Sequence, residues 1–293
     1  MYFLNYFHTS TNVVRLIRER LGTVPSGFTD IGTDYRKVVR SMRVIAPPES
    51  SYQVTFEDGN LGSFIRSSGV FKEIFYGIES LSSDRRDHFT KLTAESMDLL
   101  KDLDYRLWFI VNLLVTDVVF LKSERVGGGS GSHLFGVVCV SPSDSWNASD
   151  LLESILHEAT HLNLFICDMV NSLFTVPVAR LAEDDAKVVS AVRIGQMRPL
   201  DKALHSAIVA VPLMYIQHLQ SKTELVDMFS ESLRVCVSGL LKKEKFYTLY
   251  GKSVVEQLAA FADNQDFKWL SAEIGNTDLA LFHEISGITT VRK

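Results

Sequence analysis

The chain has 293 residues, 46% of them hydrophobic and 22% charged, with a formal net charge of −5. That balance is globular and long enough for one large domain or two small ones. It excludes a nucleic-acid role, because no stretch combines dense Lys/Arg with interleaved aromatics. Residues 1–110 read as a mostly helical N-terminal region. "TSTNVVRLIRERLG" (9–22) and "TDYRKVVRSMRVI" (33–45) carry apolar residues at helical spacing, and the second stops before Pro47-Pro48. "SYQVTFEDG" (51–59) alternates like a short strand, and 84–113 reads as one or two helices. Next come two β-rich runs, 116–125 and 133–142, joined by "VGGGSGS" (126–132). They predict an antiparallel hairpin whose glycine-rich tip is a mobile surface loop. The tip lacks the Lys-Ser/Thr ending of a phosphate-binding loop.

After candidate caps at Asn147, Ser149 and Asp150 comes "LLESILHEATHLNLFI" (151–166). A mixed stretch follows over 168–197. Residues 198 to about 263 read as helical, with Pro212 expected to kink or interrupt its helix, and 266–285 adds one more. The expected fold is mainly α with a small antiparallel sheet, an α+β class with the 151–166 helix packed beside the sheet. Residues 111–293, which carry this segment, are expected to form a second region, or one continuous domain with 1–110. Cys139, Cys167 and Cys236 form no CxxC and read as reduced thiols. With no basic segment before an apolar one at the start and no apolar run of ~18 residues, the expectation is a cytoplasmic protein without a membrane span.

His157 and His161 lie four apart, so a helix stacks them on one face, and Glu158 is turned about 100° away. This HExxH arrangement can aim two imidazoles at one ion, with the carboxylate reaching metal-bound water. Leu152, Ile155, Ala159, Leu162 and Ile166 cluster on the opposite side, so the helix is expected to be buried. Buried imidazoles need partners, since an unsatisfied polar group costs ~1–3 kcal/mol; a metal would satisfy them. A catalytic ion wants a third protein ligand. The metzincin extension is excluded, because Leu164 and Cys167 stand where Gly and His are required. Glu183 in "ARLAEDDAKVV" is one option, although its acidic neighbours suit a solvated turn. His205, alone in the apolar "RPLDKALHSAIVAVPLMYI", is the other. Asp168 reads as a helix-end carboxylate.

The pairing of "LLESILHEATHLNL" with "RPLDKALHSA" resembles the HExxH-type peptide modification proteins that accompany ribosomally made peptides, over roughly residues 110–220. The resemblance implies an iron(II)- and 2-oxoglutarate-dependent hydroxylase of peptide side-chain β-carbons on a peptidase-like helical frame. It implies His157, His161 and His205 as iron ligands, Arg198 as the group for the 2-oxoglutarate carboxylate, Glu158 as the candidate catalytic residue, and a precursor peptide as partner. The residues suit these roles. Arg198 stands just before Pro199, two helical turns below His205, and an arginine fork matches a carboxylate. Three histidines depart from the usual two-histidine, one-carboxylate triad of oxygenases. Two other readings stay open: a zinc peptidase with Glu158 as general base, and a non-catalytic peptide-binding protein with a structural metal.

Overall fold

The computed structural model describes residues 1–277, the side chains of 28 and 29 excepted. It is mainly helical with a small sheet. The chain divides into two compact units: residues 16–165, and residues 1–15 with 166 onward.

In the 16–165 unit, α1 (Tyr6–Leu21, entering from the other unit) and α2 (Phe28–Met42) precede β1 (Gln53–Phe56) and α3 (Asn60–Ser68). The 84–113 stretch resolves into two helices, α4 (Ser83–Leu103) and α5 (Tyr105–Leu114). The break falls at Asp104, whose side chain accepts from the backbone N–H groups of Arg106 and Leu107 and so caps α5. The chain continues through β2 (Asp117–Phe120), β3 (Gly127–Gly129) and β4 (Val137–Ser141) into α6 (Ala148–Asn171).

The sheet corrects two expectations. Its order is β1-β2-β4-β3, with β1, β2 and β4 parallel and only β3 antiparallel. The small sheet is therefore mixed, and 116–125 with 133–142 is not a hairpin: Asp117 pairs with Val137 and Phe120 with Val140 in the same direction. The glycine segment expected as a tip contains β3, the return strand that lets β4 run parallel to β2. The cause is burial on both faces. Val119, Leu121, Val137 and Cys139 face a cluster with Leu61, Ile65, Phe71 and Phe75. On the other face Phe89 of α4 stacks on Phe120 with ring centres 5.0 Å apart. Strands covered on both sides read as unbroken apolar runs and belong in parallel sheets.

The start of β2 is pinned by a buried ion pair. The Arg43 Nη2 atom lies 2.5 Å from Asp117 Oδ2, both side chains fully buried, and Gln53 donates to Asp117 Oδ1 at 2.5 Å. Arg43 also donates to the Ile45 and Phe135 carbonyls.

The other unit is helical around α8 (Leu200–Leu219), preceded by α7 (Val178–Leu181) and a two-stranded ribbon, β5 (Val188–Val189) with β6 (Met197–Arg198). α9 (Glu224–Leu241) packs on α8, α10 (Leu249–Asn264) packs on α9, and α11 (Phe267–Ile274) follows. The last expected helix, 266–285, is met by α11 as far as 274; residues 278–285 lie outside the described residues. Pro212 does not interrupt α8, which runs through it. Proline removes one helix hydrogen bond, but its flanks from Ala207 to Val211 and Met214 are fully buried, so packing holds the helix together. The three cysteines are free and buried. Among the described residues, no helix is long and apolar enough to cross a membrane.

Candidate metal centre

α6 begins where the Asn147 side chain accepts from the N–H groups of Ser149 (2.8 Å) and Asp150 (3.3 Å), while Asp150 accepts from Asn147 N–H at 2.8 Å. This reciprocal cap fixes the start of the helix and hence the angle at which its later turns project. As expected from its all-round apolar pattern, Leu151, Leu152, Ile155, Leu156, Ala159 and Leu162 are buried.

His157 and His161 project from consecutive turns with ring centres 5.0 Å apart and planes at 71°. An ion ~2.1 Å from one nitrogen of each ring would lie about 3 Å from each ring centre, so the spacing suits two ligands on one ion. The His157 side chain keeps 31% of its surface exposed, yet the protein packed around it still pushes its pKa down to about 4. The ring is thus held as the neutral imidazole that a metal requires.

Glu158 is 5% exposed, and burial pushes its pKa up to about 7 against the one donor that opposes it, Ser130. Ser130 Oγ donates to Glu158 Oε2 at 2.7 Å. The other oxygen, Oε1, is the one facing His157, 3.9 Å from Nε2 and beyond hydrogen-bond reach. Strand β3 passes directly against this carboxylate: a Cβ built on Gly128 would lie 2.8 Å from Glu158 Oε1, 3.0 Å from its Cγ and 3.0 Å from Ser154 Oγ. Ser130 and Gly128 were not found by sequence reasoning, which saw only a flexible tip. The available signal was glycine inside a strand, which marks close backbone approach.

His157, Glu158 and His161 are brought together on α6. The remaining sequence candidates belong to the other unit. His205 is on α8, where burial, with help from Lys202, pushes its pKa down to about 3. Arg198 ends β6, just before Pro199 and α8. It is half-buried, and burial and Arg193 lower its pKa while Asp201 raises it. Its guanidinium makes no hydrogen bond or ion pair among the described residues. Glu183 is exposed and lies 3.2 Å from Arg180, as a solvated acidic turn should. Asp168 accepts from the Leu173 N–H at 2.7 Å beyond the last turns of α6, a helix-end role. Among the described residues, no set of three or more His, Cys, Asp and Glu side chains is gathered as a metal-binding group.

No protein-family model matches the chain, and no curated protein matches it either.

Proposed function

We propose that the protein is a metal-dependent enzyme acting on peptides, and specifically an iron(II)- and 2-oxoglutarate-dependent hydroxylase of a side-chain β-carbon in a ribosomally made peptide. The observation that carries the metal reading is the α6 trio: two imidazoles at ligand spacing, that of His157 held neutral, beside a buried carboxylate that no lysine or arginine pairs with among the described residues. Imidazole suits iron as well as zinc. The choice of iron rests on the resemblance in "RPLDKALHSA" and on two residues within it. His205 is a neutral imidazole and a fitting third ligand. Arg198 is a half-buried cation that forms no ion pair among the described residues, although Asp201 acts on it at longer range, and its fork suits the 2-oxoglutarate carboxylate. Iron with 2-oxoglutarate and oxygen would supply the oxidising chemistry. The chain's own residues would hold the ion through His157, His161 and His205, orient the co-substrate through Arg198, and keep a hydrogen-bonding carboxylate beside the ion through Glu158.

A zinc peptidase is the second reading, and the state of Glu158 favours it. A carboxyl group titrating near 7 beside two histidines at ligand spacing would be matched to general-base work on a metal-bound water. A non-catalytic peptide-binding protein with a structural metal has no such observation in its favour.

Incubating anaerobically purified protein with iron(II), 2-oxoglutarate and oxygen should yield succinate, and His157→Ala should yield none. Absence of succinate together with zinc-dependent cleavage of peptides would replace the hydroxylase with the peptidase.

A further inference from the structure

We infer that Gly128 and Ser130 form a seat that fixes the Glu158 carboxylate in one orientation, which makes Ser130 a positioning residue of the metal centre. The inference rests on the metal reading of His157 and His161, and it concerns this chain's own residues. Residues two apart in an extended chain point to the same face. Gly128 and Ser130 are such a pair, and both face α6: one by its missing side chain, the other by its hydroxyl. Gly129, between them, faces the opposite way, where its Cβ would meet Phe75 and Ile74 at 3.2 and 3.3 Å. The alternation through β3 and on to Ser130, just past its end, thus turns Gly129 to the hydrophobic cluster and Gly128 and Ser130 to the carboxylate.

The two contacts have different jobs. Ser130 Oγ engages Oε2 at 2.7 Å. That leaves Oε1 on the histidine side, 3.9 Å from His157 Nε2. Gly128 supplies the space in which Oε1 and Cγ lie, since a methyl group there would stand 2.8 and 3.0 Å from them. A carboxylate on a two-methylene stem otherwise has several staggered rotamers open to it. Tying one oxygen and walling the stem selects the rotamer that turns the other oxygen toward a ligand bound at the histidines.

Cobalt(II) is the probe, because its visible ligand-field spectrum reports the geometry and hydrogen bonding of what it carries. Wild type, Ser130→Ala, Ser130→Thr and Gly128→Ala would be titrated with cobalt(II), with circular dichroism as the control for folding. The expected result is cobalt affinity within about threefold of wild type in every variant, since the imidazole ligands are unchanged. The spectrum should shift in Ser130→Ala and Gly128→Ala, and return in Ser130→Thr, which keeps the hydroxyl. Gly128→Ala should fold, because its clash falls on the far end of a flexible side chain. Identical spectra for wild type, Ser130→Ala and Gly128→Ala would overturn the seat alone. Loss of cobalt binding in a natively folded Ser130→Ala would also overturn it, since Ser130 would then support the ligands and not Glu158. No cobalt uptake by wild type would overturn the metal reading and this inference with it.

Discussion

Two of the buried carboxylates of the 16–165 unit, Asp117 and Glu158, are held in opposite ways. Asp117, at the start of β2, meets the guanidinium of Arg43 and the amide of Gln53, and Thr116 Oγ1 donates to it at 2.7 Å. Glu158 on α6 meets one neutral hydroxyl. Burying an unpaired charge is costly, so a carboxylate that serves only the fold is given a cation, as Asp117 is. A carboxylate left with a single neutral donor takes a proton instead, and Glu158 is pushed up to about 7. The contrast sets Glu158 apart as the acid the proposed function would use, because no cation among the described residues answers its charge.

Breaking the satisfied site should have the largest effect. Arg43→Ala strands Asp117 in a closed position, and losing one partner of a buried pair costs roughly 3–5 kcal/mol. Urea unfolding should show that loss, with metal affinity unchanged in the protein that remains folded; a cost under about 1 kcal/mol would erase the contrast. The unsatisfied site should respond with the opposite sign. In metal-free protein, Glu158 rises from its ordinary 4.5 to about 7 on folding. Between those values the folded state keeps a proton that the unfolded state has released. Stability therefore falls as pH rises from about 4.5 to about 7 and is level above. At ~1.4 kcal/mol per pH unit, Glu158→Gln should be more stable than wild type by about 3 kcal/mol at pH 8 and equal to it at pH 4. Parallel stability curves for the two proteins would show that Glu158 is not held protonated.

Next in size is the ion itself. Removal of a mere outer partner of a ligand weakens metal binding ~10–100-fold. His157→Ala and His161→Ala should each weaken it by at least about 100-fold, close to 2.7 kcal/mol, as read by metal titration. The smallest effect belongs to Glu183, which should change stability by less than about 0.5 kcal/mol and leave metal affinity intact, whereas His205→Ala weakens it. Tight binding kept in His205→Ala and lost in Glu183→Ala would overturn the proposed ligand set.

The α6 half of the contrast was legible in the sequence, since spacing of four on a helix is a local rule that places His157, Glu158 and His161 without knowledge of the rest. So was the cap at Asn147, because capping is settled within a few residues. The seat was not legible. "VGGGSGS" has the composition of a loop, and only the side chain of Glu158, far along the chain, explains why glycine is needed at 128. The parallel pairing was hidden for a related reason: strands buried on both faces lose the alternation that would have shown their register. Asp117 and Arg43 gave no sign of each other, because nothing local links the end of α2 to the start of β2.

That parallel pairing also bears on how the molecule is made. A hairpin closes over a few residues, but the β1–β2 register joins Gln53 to Asp117 across α3, α4 and α5. Closing so long a loop loses chain entropy before any strand contact is gained, so this ladder forms late and slowly. Until it does, β2 and β4 are apolar segments with open edges, vulnerable to pairing between chains. During synthesis β1 waits for β2 to be made, and the carboxylate seat waits longer still, because Glu158 is made after the strand that holds it.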